Sequence, residues 1–206
     1  MADLDLKPEE INALRGAIKI HGLVRLLVWP MMMANTMDLD SSDGRSQTIL
    51  APRALHHGGL LADEQCLVQM AAHELVHHAQ DEARGGTVLR TFFPQHRGFT
   101  LGGRLAMVEG HAHWVDQQVT TRLFGQPVDA HQRARRSWRH RLHSAMPGIR
   151  RFGPGRDSYV QGAQLIEHAV AAGGTDLVNR VWKDTSLLPS QEEITDPDAW
   201  IRRIAF

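Results

Sequence analysis

The stretch Asp63-Glu64-Gln65-Cys66-Leu67-Val68-Gln69-Met70-Ala71-Ala72-His73-Glu74-Leu75-Val76-His77-His78-Ala79-Gln80-Asp81-Glu82 decides how this chain is read. Leu67, Met70, Ala71, Leu75 and His78 recur at helical spacing, and Asp63 is a residue type that caps a helix by accepting a backbone N–H. Gly85-Gly86 stop the run, so the spacing predicts a helix from Asp63 to about Glu82. Inside it stands His73-Glu74-Leu75-Val76-His77, an H-E-x-x-H pattern. Residues four apart on a helix share a face, so both imidazoles can reach one ion. Glu74 sits beside that face, where a carboxylate can take the proton of a water that zinc has acidified.

Two histidines on a solvated helix carry no chemistry without a third ligand. The extended pattern H-E-x-x-H-x-x-G-x-x-H is excluded, because Gln80 and Ala83 occupy the places of its glycine and last histidine. The best source is Glu109-Gly110-His111-Ala112-His113-Trp114-Val115-Asp116. Leu105, Val108, Ala112, Val115, Val119 and Leu123 predict a second long helix over 104–123, ended by Gly125 and Pro127. Glu109 follows the inward position Val108, and a carboxylate at a buried helix edge is costly unless paired or metal-bound. A buried ion pair with Arg104 or Arg122 is one alternative for Glu109, and His113 is a rival third ligand. Gly110 would let the two helices approach closely. His113 and Asp116 follow Glu109 on the same face and suit hydrogen bonds that orient ligands.

The remaining sequence sets the frame. A chain of 206 residues suits one domain over 1–206. Lys plus Arg and Asp plus Glu both equal 23, so no bulk charge draws the chain to nucleic acid or an anionic membrane. Thirteen histidines fit a metal site but also multiply chance metal-like patterns. The lone Cys66 suits a reducing compartment. The N-terminus MADLDLKPEE is acidic where a signal peptide is basic, and the apolar Gly22 to Ala34 is interrupted by Arg25 and Pro30. A cytoplasmic protein without membrane partners is expected.

A helix from Pro8, a strand over Leu23 to Trp29, a loop over Asp38 to Ser46 and a short strand over Gln47 to Ala51 come first. Helices follow the second long one at roughly Val128 to Ala145, Asp157 to Ala172 and Thr175 to Lys183, with a short one after Pro197. The fold class is mostly α, an α+β arrangement with a small N-terminal β-sheet.

HELVHHAQ, then VEGHAHWVD, then Tyr159-x-x-Gly162 with Gly173, Asn179 and Trp182, then LPSQEEITDPDAW form an ordered set. This set resembles the actinobacterial zincin-like family labelled "zinc-dependent metalloprotease" or "coenzyme F420 biosynthesis-associated". Its members show H-E-x-x-H, L-E-G-H-x-x-x-V-M-D, Y-x-x-G and a closing L-P-T-x-x-E-I-x-D-P-x-x-W. The likeness covers roughly residues 48 to 204. Two departures are Asp81, where members often carry an apolar residue, and the missing methionine before Asp116. The resemblance implies a zincin-like helical core, zinc held by His73, His77 and Glu109, and Glu74 as base. Zincin-type hydrolases often aim a tyrosine or histidine at the oxyanion of the scissile carbonyl, so Tyr159 is a candidate donor. His168, amid apolar positions, reads as a core histidine.

Eight arginines between His131 and Arg156 read as a solvated helix face rather than an anion site, and the Met31-Met32-Met33 run as core filling. The resulting expectation is a zinc-dependent hydrolase of a peptide or small amide substrate. The alternatives are an Fe(II) facial-triad tailoring enzyme on the same scaffold and an idle metal-stapled module.

Overall fold

The computed structural model describes residues 32–38, 46–86, 102–145 and 156–205. Helices dominate, and the only sheet among the described residues is a two-stranded antiparallel ribbon. Strand β1 (Ala34–Asp38) pairs with β2 (Ser46–Leu50), and Thr36 stands directly opposite Thr48. β2 is the strand expected at Gln47 to Ala51. Pro52 does more than close it, because it opens helix α1 (Pro52–Gly58) from the first turn, where its missing N–H costs nothing. β1 was not expected. Its sequence ANTMD offers only Thr36 of the β-branched and aromatic residues that announce a strand, and pairing with β2 supplies the order instead. The expected strand at Leu23 to Trp29 and the expected helix from Pro8 lie outside the described residues.

Helix α2 (Glu64–Ala83) starts as its sequence requires, with the Asp63 carboxylate accepting from the Cys66 backbone N–H at 3.1 Å. Gly85 and Gly86 follow it with φ of 67° and 78°, a left-handed conformation that glycine adopts without strain. Helix α3 (Gly102–Phe124) is the second long helix. The helix expected over Val128 to Ala145 is broken into α4 (Ala130–Ala134) and α5 (Trp138–Ser144). Ser137 takes an extended conformation between them, and its hydroxyl donates to the His57 carbonyl at 2.8 Å, tying the break to α1. Helix α6 (Arg156–Lys183) bends at Gly174 (φ 70°), which separates the two helices expected there. A 3-10 turn (Thr185–Leu187), α7 (Gln191–Thr195) with a Ser190–Glu193 capping box, and α8 (Pro197–Ile204) complete the described chain.

α3 is the central element. Its Met107 and Val108 join Leu165, Ile166, Val181, Trp182 and Trp200 in one apolar cluster. A second cluster holds Met33, Leu55, Leu60, Cys66, Met70 and Val128, so α2 roots its first turns there. Met33 thus fills core as expected, while Met32 is exposed. Gly110 does serve a close helix approach, but toward α6 rather than α2. A Cβ on it would strike the Gly162 backbone and lie 2.8 Å from the Ala163 nitrogen. Among the described residues no helix is long and apolar enough to cross a membrane.

Candidate metal centre

α2 and α3 bring His73, His77 and Glu109 to one point. Their ligand atoms all lie within 4.8 Å of one another, the arrangement that a single ion needs. Glu109 Oε2 is 3.2 Å from His73 Nε2 and 3.7 Å from His77 Nε2. Four-residue spacing on α2 stacks the two rings edge to face, with centroids 5.0 Å apart.

The far nitrogens of both rings are committed elsewhere. His73 Nδ1 lies 2.9 Å from Asp116 Oδ2, and Asp116 is fully buried. A carboxylate can only accept, so Nδ1 carries a proton toward Asp116, and Nε2, on the Glu109 side, is the nitrogen that a cation can claim in exchange for its proton. Asp116 is itself held by the Gln69 amide at 2.7 Å and the Gln117 amide at 3.0 Å. His77 Nδ1 lies 3.0 Å from Gln80 Oε1. The Gln80 amide donates to the Val108 carbonyl at 2.9 Å and to His111 Nδ1 at 3.1 Å, which fixes its orientation and makes Oε1 the acceptor. His77 Nδ1 therefore also carries a proton, and Nε2 is the nitrogen directed to the Glu109 side. Metal-ligating histidines show this pattern, in which the second nitrogen donates to a carboxylate or carbonyl oxygen.

The local field favours positive charge between these side chains. Burial opposes protonation of His73, but its hydrogen bonds to Asp116 and Glu109 outweigh it and raise the pKa to about 10. Glu109 moves the other way. Burial pushes its carboxyl up, yet hydrogen bonds from His73 and His77 prevail and hold it well below the usual range. His111, whose Nδ1 accepts from the Gln80 amide, is pushed down to about 4, chiefly by burial, so it stays neutral. A proton or a metal cation meets the same attraction there.

Glu74 and Tyr159 complete the group. Glu74 is 7% exposed, and its Oε2 accepts from the Thr36 hydroxyl of β1 at 2.5 Å. Tyr159, near the start of α6, stacks on His73 with ring centroids 6.4 Å apart and planes 25° from parallel. Burial, then the charge of Glu109 and a hydrogen bond to it, keep the phenol protonated far above its ordinary range.

The structure thus brings together Glu74, Tyr159, His73, His77 and Glu109, and it separates others from them. His113 falls outside the converging set, and its Nδ1 is 3.4 Å from Asp116 Oδ1. His168 is not a core residue. It is exposed, and its Nδ1 donates to the Gln164 carbonyl one turn back. Of the arginine run, Arg135, Arg136, Arg139 and Arg141 are exposed, as a solvated face requires. Arg133 is different, since it grips both Asp63 carboxylate oxygens at 2.9 Å. Arg150 and Arg151 lie outside the described residues. Gln69 and Gln80 were not singled out by the sequence reading, although spacing could have found them. They lie four residues before His73 and three after His77, on the face that carries the ligands. No local signal marks Thr36, which arrives from a different element.

A search of curated proteins and one of solved structures found no match. The family model described as zincin-like metallopeptidase matches residues 62–201, from the cap of α2 to the middle of α8. With its H-E-x-x-H helix and its converging His, His and Glu, the chain belongs to the zincin-like metallopeptidase family.

Proposed function

We propose that the protein is a zinc-dependent hydrolase of peptide or small amide substrates in the cytoplasm. His73 Nε2, His77 Nε2 and Glu109 would hold the ion. The observation that carries this reading is the double commitment of the Nδ1 atoms to Asp116 and Gln80, which directs both Nε2 atoms to one carboxylate, where a cation can replace their protons. When bound, zinc supplies Lewis acidity toward the scissile carbonyl and toward the attacking water.

The chain's own residues do the rest. Glu74 follows His73 on α2, and Thr36 occupies its Oε2, leaving Oε1 to take the water's proton. The same carboxyl then delivers the proton to the leaving nitrogen, as general acid–base catalysis requires. Tyr159 keeps its O–H at any working pH and can donate to the oxygen that gains charge as the carbonyl is attacked. An idle metal staple has no use for a buried acid beside the ligands, which is why Glu74 favours an enzyme.

Glu74→Gln tests the reading. It should keep zinc and lose about 10²- to 10⁴-fold in turnover, the usual contribution of a general base. Release of fluorescence from a quenched peptide mixture measures it, and a fully active variant would sink the mechanism.

A further inference from the structure

The contact that holds Glu74 comes from the sheet and belongs to a longer chain of hydrogen bonds. Thr36 Oγ1 is 2.5 Å from Glu74 Oε2 and only 3.4 Å from the Glu74 carbonyl, so the side chain is the preferred acceptor. Thr48, opposite Thr36 in the ribbon, has its Oγ1 2.7 Å from that of Thr36. His78 Nε2 is 2.8 Å from Thr48 Oγ1, and His78 Nδ1 is 3.0 Å from the Ser46 hydroxyl. The chain begins on α2 at Glu74, crosses both strands and returns to α2 one turn later.

Its proton directions follow from one requirement. A base ready to act is a carboxylate and can only accept, so Thr36 must spend its single O–H on Glu74. Thr48 must then donate to Thr36. With that proton used, Thr48 can only accept from His78, whose Nε2 must carry hydrogen. A neutral His78 is left with a bare Nδ1, which accepts from Ser46. Every donor points toward Glu74, and both threonine hydroxyls also have an acceptor role filled.

We infer that Thr36 is a positioning residue for the general base, oriented in turn by Thr48 and His78, and that the ribbon sets which Glu74 oxygen faces the chemistry. The inference rests on the hydrolase reading above. Holding one carboxylate oxygen removes rotamers in which Glu74 turns from the ligands, and such orienting bonds are worth more in a buried setting than at a surface.

Zinc-loaded full-length protein carrying Thr36→Val, Thr36→Ser or Glu74→Gln tests it on a quenched peptide mixture. Thr36→Val should keep its zinc and lower kcat about 10- to 100-fold, a loss typical of groups that orient a metal site, with KM little changed. Thr36→Ser restores the hydroxyl and should restore kcat. Wild-type kcat in Thr36→Val beside an inactive Glu74→Gln would overturn the positioning role and leave the hydrolase standing. A fully active Glu74→Gln would remove the hydrolase reading itself. A second measurement needs no substrate. Nitrogen-15 histidine spectra of the zinc-loaded protein should show His78 with its proton on Nε2, and Thr48→Val should disturb that preference. A His78 proton on Nδ1 reverses the chain, leaves Thr36 unable to donate to Glu74, and overturns the inference.

Discussion

Two clusters of histidines in this protein look alike as rings and differ in the charges around the rings. His73 and His77 meet edge to face at 5.0 Å and 85°, while His57 of α1 and His143 of α5 meet at 5.7 Å and 83°. The first pair has a carboxylate between its Nε2 atoms and oxygen acceptors behind its Nδ1 atoms. The groups that act most strongly on His140, in the middle of the second cluster, are His131, His57, Arg135 and His143, none of them acidic. His140 is 3% exposed, and among the described residues neither of its ring nitrogens has a hydrogen-bond partner. Imidazoles at contact distance are therefore not yet a metal site. Carboxylates that hold the rings and attract the cation make the difference.

The strongest way to break this comparison is to count zinc. Protein purified without chelator should carry one zinc per chain, and His73→Ala or His77→Ala should abolish tight binding, because losing one of three protein ligands is severe. His57→Ala and His143→Ala should leave the count at one. Elemental analysis after dialysis decides it. A second equivalent of zinc that disappears with His140→Ala would show that the acid-poor cluster binds metal after all.

A weaker effect is expected one layer out. Asp116→Ala should lower zinc affinity about 10- to 100-fold, since the bond from His73 Nδ1 fixes that ring and its tautomer. Competition with a fluorescent chelator measures the loss. The variant also leaves the Gln69 amide without its 2.7 Å acceptor, so some loss of thermal stability should accompany it. Zinc affinity unchanged in Asp116→Ala would mean that packing alone orients His73, and the contrast with His140 would lose its physical basis.

Much of this contrast was legible before any coordinates. Helix periodicity, the Asp63 cap and the four-residue histidine spacing are local properties, and they defined α2 and the face that carries the ligands. Glu109 could be singled out because a charge on the inward edge of a helix demands a partner, and Asp116 because it follows on the same face. What escaped was non-local. β1 exists because β2 pairs with it, and Thr36 reaches Glu74 across 38 residues. Gly110 signalled a close approach that was assigned to α2, and the true neighbour, Gly162 on α6, depends on tertiary packing. The break at Ser137 likewise depends on the His57 carbonyl that its hydroxyl finds.

The smallest expected effect sits in the second cluster and concerns acid. Burial, reinforced by the neighbouring His131, His57, Arg135 and His143, lowers the pKa of His140 below its ordinary 6.5. The opened form, with an ordinary imidazole, then binds more protons than the closed form as pH falls below 6.5. Stability of this module is accordingly full above that pH and declines below it, down to the lowered folded-state value. The zinc-loaded centre need not change over the same steps, so a local probe separates the two regions. Amide protection factors across α5 should fall between pH 7.5 and 5.5, by at most about tenfold per pH unit for each extra proton taken up on opening. His57 is also lowered, by burial and then by His143, and contributes in the same direction. His140→Leu removes the most buried titrating group of the cluster and should flatten the fall without abolishing it. If α5 protection falls just as steeply in His140→Leu, the buried imidazole is not the source of the acid sensitivity. If protection in α2 falls first, the metal centre is the weaker of the two regions, and the comparison is inverted.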